Sequence, residues 1–220
     1  TDAFASLSVG AINDITSKSF GTSSIMIGDN ATGTIDAADN NTGLGVDVFA
    51  ALTTGDNNTA AGFNSLTSNT TGGANSSFGT YSLDANTTGS ENTAIGKSAL
   101  GGNTTGANNT ALGRHALLAN TTGANNVAVG YNALDANTTA SFNTSIGNSS
   151  LGATTTGASN IGIGHQAMFT NTTGAQNVGI GHGSLYNNTT ASNNTAVGYF
   201  SLVANTTGTN NTALGRESLD

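Results

Sequence analysis

The chain has 220 residues and a formal net charge of -8, and only 7% of its residues are charged, where about 25% is ordinary. Its four fixed cations, Lys18, Lys97, Arg114 and Arg216, argue against nucleic-acid binding. No apolar run approaches the roughly 18 residues needed to span a membrane, and no cysteine is present to build a disulfide framework.

Asn, Thr, Gly, Ala and Ser make up most of the chain, a composition shared by disordered tracts and by regular low-complexity scaffolds. Residues 1–23 are irregular and read as a cap or junction, because the terminal repeats of stacked arrays are atypical. The docking of this segment onto a preceding domain or subunit is the equal alternative. No leader pattern precedes Thr1, so the expectation is a processed form or a segment of something longer.

From residue 24 to residue 220 the chain repeats every seventeen residues without insertion. Counting an asparagine as position zero, Asn recurs at 41, 58, 75, 92, 109, 126, 143, 160, 177, 194 and 211. Position one is Thr, Ser, Val or Ile, position two is small, position three is apolar, and position four is always Gly. Positions one and three therefore share one face of a short strand, which is expected to supply the core, and the glycine marks a corner. Positions seven and eight, small then Leu or Met, read as a second short strand that closes into an Asn-Thr-Thr-Gly turn. Glycine, Thr and Asn at this density contradict a helix.

The fold class expected is all-β: a parallel β-solenoid of roughly 13 coils stacked about 4.8 Å apart, with Asn and Thr ladders between coils. In the copy Asn109 to Asn125, the residues that define the repeat are Asn109, Leu112, Gly113, Leu117, Asn120 and Gly123. Two or three apolar side chains per coil are little to set against the ordering of seventeen backbones. A homo-oligomer, most plausibly a trimer, is therefore expected, with the small residues of positions two and seven as its packing surfaces.

The run Asn92 to Leu134, NTAIGKSALGGNTTGANNTALGRHALLANTTGANNVAVGYNAL, resembles the N-T-A-x-G-x-x-A-L-x-x-N-T-T-G repeat of bacterial and phage tail-fibre-like proteins. The resemblance covers about nine-tenths of the chain. The stretch Asn126 to Gly130, NVAVG, is also similar to the shorter head repeat of trimeric autotransporter adhesins, a parallel β-roll. Together these likenesses imply a fibre shaft or adhesin stalk, placed outside the cell, on its surface or on a virion. They bring no catalytic residues with them.

Position five gathers the aromatics and cations: Phe63, Lys97, Arg114, Tyr131, His165, His182, Tyr199 and Arg216. It reads either as a tolerant exposed column or as a stripe that touches a cell-surface glycan or a partner. His165 and His182 stand one coil apart, but a metal site needs three or four ligands, so no metal is expected there. Asp29, Asp36 and Asp39 offer oxygen ligands for Ca²⁺ without any Ca²⁺-loop spacing, and a solvated acidic end is the better reading. The Thr-Thr columns raise ice binding as a further alternative. Eight Asn-Thr-Thr triplets, at Asn69, Asn86, Asn103, Asn120, Asn137, Asn171, Asn188 and Asn205, match the N-glycosylation sequon and also serve as turn chemistry.

No catalytic triad, zinc signature or phosphate loop is found, so no enzyme is expected. The expected function is a structural fibre or filament module whose partners are copies of itself, as a trimer or stacked end to end. The alternative is a ligand-binding solenoid.

Overall fold

The computed structural model describes residues 38–219, together with two short upstream strands, β1 (Ser17–Lys18) and β2 (Ile25–Ile27). The cap or junction expected in residues 1–23 lies outside the described residues apart from β1, as do Asp29 and Asp36. Eleven three-residue strands follow: β3 (Thr42–Leu44), β4 (Thr59–Ala61), β5 (Ser76–Phe78), β6 (Thr93–Ile95), β7 (Thr110–Leu112), β8 (Val127–Val129), β9 (Thr144–Ile146), β10 (Ile161–Ile163), β11 (Val178–Ile180), β12 (Thr195–Val197) and β13 (Thr212–Leu214).

All thirteen strands form one sheet in sequence order. β2 to β13 are parallel, and each residue pairs with the one seventeen positions on, as Thr110 does with Val127. β1 alone is antiparallel, laid on β2 with Ser17 opposite Ile27. The protein is a parallel β-solenoid, with about ten coils between residues 38 and 219.

The glycine corner has two causes. Gly113 has a φ of 136°, and a Cβ built there would stand 2.5 Å from the Gly130 carbonyl oxygen of the next coil.

The segment after the glycine is not a second strand, contrary to the sequence expectation. His115 (φ 60°) and Leu117 (φ 53°) are left-handed, as is Asn125 (φ 58°) at the far turn, and the same positions repeat this in coil after coil. Left-handed residues turn their N–H groups along the rod axis without an extended chain. The His115 N–H donates to Lys97 O of the preceding coil, and the Leu117 N–H to Ala133 O of the following one, each at 3.0 Å. A β-branched side chain is strained in this conformation, and position eight holds only Phe49, Leu and Met168.

The interior is narrow. In the central coil it holds Asn109, Ala111, Ala116, Leu117 and Asn120, all fully buried. Only the leucine is a large apolar side chain. A Cβ added at Gly162 would fall 2.9 Å from Leu151 Cγ, and one at Gly179 would fall 2.7 Å from Met168 Cγ. Position two is small for this reason, and positions one and three are turned outward. Leu112 is 44% exposed, which corrects the expectation that the strand's apolar residues form the core. Positions two and seven are likewise corrected: they line the interior and cannot be packing surfaces between chains. Where Ser replaces Ala at both, the hydroxyls are satisfied inside: Ser77 Oγ and Ser82 Oγ bond to one another at 2.6 Å, while Ser145 Oγ donates to Ser150 O and Ser150 Oγ to Gly162 O, each at 2.8 Å.

Two columns of buried asparagine run along the rod, the second from Asn69 onward, since Leu52 fills that position in the coil before. In the first, Asn126 donates its backbone N–H and its Nδ2 to Asn109 Oδ1 (3.0 and 3.1 Å), while Asn109 Nδ2 reaches Gly123 O at 2.9 Å. In the second, Asn120 Nδ2 bonds both Asn103 Oδ1 (2.7 Å) and Gly123 O (3.0 Å). Each amide thus spends its donors and its acceptor inside the protein.

The second column is broken once. Thr154 occupies the asparagine position, and Asn137 Oδ1 below it is buried with no hydrogen-bond partner. Asn171 Nδ2 finds only Thr154 Oγ1, at 3.3 Å. Thr154→Asn restores a donor to that orphaned oxygen and should raise unfolding stability by about 1–2 kcal/mol. Urea denaturation of the two proteins side by side checks this, and a destabilised T154N would contradict the ladder argument.

Candidate functional surfaces

Because the position within a coil sets the direction a side chain points, each outward position becomes a column along the rod. Positions one and three form two neighbouring columns on the sheet face. Leu44 is 55% exposed and Phe78 42%, and Ile95, Ile146, Ile161 and Leu214 are also exposed. Val127, Val129, Ile163, Val178, Ile180 and Val197 between them are half-buried. The result is a continuous apolar column at position three, beside a position-one column of eight Thr or Ser with Val127, Ile161 and Val178; the sequence reading assigned both to the core. Its signal was present in the sequence: position three runs from Ala61 to Phe78, a range of volumes that a fixed interior cannot hold.

Beyond the glycine corner lies position five. Phe63, Lys97, Arg114, Tyr131, His165, His182, Tyr199 and Arg216 are all exposed and follow one another up the rod. The His165 and His182 rings stand 4.8 Å apart between centroids, His182 and Tyr199 5.3 Å, and Phe63 meets Tyr81 edge-on at 5.4 Å. Arg114 lies over the Tyr131 ring at 5.6 Å, and Arg216 over the Tyr199 ring at 5.3 Å. These are cation–π contacts that fix the guanidinium groups. The repeat residues Asn109, Leu117, Asn120 and Gly123 are interior, and Gly113 forms the corner.

The acids lie on other columns. Asp84 and Asp135 share position nine, and Asp39, Asp56 and Glu91 occupy positions fifteen and sixteen. Thr54, Asp56, Thr71, Ser90 and Glu91 help to line a polar groove of about 320 Å³. The Asp56 carboxylate accepts the Asp39 backbone N–H at 2.7 Å. Among the described residues no three His, Cys, Asp or Glu side chains are gathered where a metal could sit. No described helix is long and apolar enough to cross a membrane.

Of each Thr pair except the last, Thr206 and Thr207, only the second is exposed. In the central coil Thr122 faces solvent, whereas Thr121 is half-buried and its hydroxyl donates to Thr138 O at 3.0 Å. The outward hydroxyls therefore form a single file rather than a two-wide array.

No family model, curated protein or solved structure matches the chain.

Two predictions follow from burial. The asparagines of the sequons at 69, 86, 103, 120, 137, 171 and 188 are fully buried, and their Nδ2 atoms are spent on carbonyl or hydroxyl acceptors. A glycan there is incompatible with the coil. Expressed in a glycosylating host, the folded fraction should carry no glycan at these seven asparagines by peptide mapping, whereas exposed asparagines that also begin sequons, Asn108 and Asn148 among them, stay open to modification.

Burial, opposed by weaker backbone hydrogen bonds, raises the pKa of Asp84 and of Asp135 above the ordinary 3.8. The folded state thus holds these protons more tightly than the unfolded chain. Their contribution to stability is full below pH 3.8 and is lost as pH rises through the raised value. Asp84→Asn should therefore stabilise the rod at neutral pH, and the gain should vanish in melts recorded below the ordinary carboxylate range.

Proposed function

We propose that the protein is a structural shaft or filament module, used for projection or self-assembly, whose copies associate through the outward face of the sheet. The observation that carries this reading is the outward apolar column at position three, which Val127, Ile161 and Val178 widen at position one. Eleven strands about 4.8 Å apart make a column about 50 Å long, and one apolar residue per strand gives it a width of about 5 Å. An unbroken apolar stripe of about 250 Å² along one face of the rod is a surface on which copies can associate.

A second copy is the economical partner, since every coil presents the same chemistry and two such faces meet in register. A trimer, in which three faces converge on one axis, agrees with the likeness to tail-fibre and adhesin repeats. That likeness also supports a place outside the cell, on its surface or on a virion. The reading is non-catalytic.

Sedimentation of purified protein at micromolar concentration tests the proposal, with a compact oligomer as the expected result. Substituting I95K and L112K together charges the middle of the face without touching the interior. The double variant should sediment as folded monomers. A wild-type protein that is already a stable folded monomer defeats the proposal.

A further inference from the structure

We propose that the position-five column is a docking strip for a carboxylate-bearing polysaccharide laid along the rod axis. This goes beyond the fibre reading, because the strip lies past the glycine corner from the apolar face and does not depend on how copies associate.

The first observation is charge segregation. On a chain of net charge -8, every fixed cation of residues 38–219, Lys97, Arg114 and Arg216, falls in one outward column. From Lys97 to Arg216, eight consecutive coils present a cation, an aromatic ring, a histidine or Asn148 at this position, and none presents an acid. The two acids of these coils within residues 38–219, Asp135 and Glu217, stand at positions nine and six.

The second observation is that two of the three cations, Lys97 and Arg114, are left without a counter-charge. Among the described residues the single ion pair is Arg216 with Glu217, at 3.1 Å. Lys97 and Arg114 stand in adjacent coils, about 4.8 Å apart at the backbone, with no carboxylate between them. Two like charges held so close repel, and a bound anion would relieve the repulsion.

The third is preorganisation. Tyr131 lies under the Arg114 guanidinium on one side, and His115 stacks on the same ring with centroids 6.5 Å apart. An arginine held by one face keeps its N–H edge free for a bidentate carboxylate. Tyr199 also lies against Arg216 six coils further on, where the guanidinium edge donates to Glu217 Oε1 at 3.2 and 3.1 Å.

The spacing selects the anion. Duplex DNA carries a charge about every 1.7 Å, far denser than the three cations spread over eight coils. A polyuronate carries one carboxylate per sugar, at a spacing of the same order as the coil rise, and its sugar rings present C–H faces to exposed aromatic rings.

The test is binding of the purified full chain to immobilised polygalacturonate, with dextran as the neutral control and duplex DNA as the dense polyanion. Binding to polygalacturonate alone is expected at about 0.05 M salt, falling at least tenfold at about 0.5 M, where the screening length is a few ångströms. K97Q/R114Q should lower affinity about tenfold or more, and Y131S/Y199S should weaken it as well. Sedimentation of each variant reports separately whether assembly is intact, so a failure of the fibre reading is told apart from a failure of this one. Equal binding to dextran, preference for DNA, indifference to K97Q/R114Q or no binding at all overturns the proposal.

Discussion

The structure depends on the vertical register of its buried amides. Asparagine carries donor and acceptor on one planar group, so a column of asparagines satisfies itself indefinitely, each Nδ2 reaching the Oδ1 of the coil before. Aspartate in such a column would lack the donor and stack like charges, and serine would not span the gap. The ladder works only if successive asparagines fall on one line. A single inserted residue would leave two buried amides unpaired at a cost of several kcal/mol. The unvarying seventeen-residue step is the mark of that penalty.

Filling the interior with amides has a consequence for everything apolar. One leucine per coil contributes about 1.5–3 kcal/mol on burial. That is of the same order as the strain of three left-handed residues, at about 1 kcal/mol or more each. The column therefore stands on its inter-coil hydrogen bonds. The larger hydrophobic side chains, for which the narrow coil has no room, are displayed on the sheet face. Association, in this view, follows from the thinness of the coil: a wider coil would have buried the same residues within one chain.

The period, the parallel stacking, the in-register asparagine ladders and the glycine corner were legible in the sequence, because each leaves an unvarying column. The inside and outside of the strand were not. Thr-Ala-Leu alternates whichever face is buried, and large apolar residues are ordinarily assigned to the core. What decides the matter is variance rather than hydropathy: position two is confined to Gly, Ala and Ser in the described coils, whereas position three runs from Ala61 to Phe78. The non-extended segment at Leu117 was hidden for another reason. Nothing in Ala-Leu announces a left-handed leucine, although the lack of Val, Ile or Thr at position eight is consistent with one. Column five was found as a list of residues. Its isolation from the acids became visible only once the coil had assigned each position a direction.

In a rod of this kind, chemistry is distributed by column rather than by pocket. The interior columns are held by hydrogen bonding, the position-three column by apolar character, and the remaining columns are free to vary. A merely solvated column of an acidic protein should gather acids as readily as its neighbours. Column five varies from Lys97 through Tyr131 to His182 and, within residues 38–219, holds neither of the two acids of those eight coils and gathers all three fixed cations. Variation in side chain with constancy in charge sign is what a surface shows when its contact is long, repetitive and anionic. The same spacing that lines up the buried amides would then fix the spacing of the outward charges, so one structural repeat would serve both assembly and recognition.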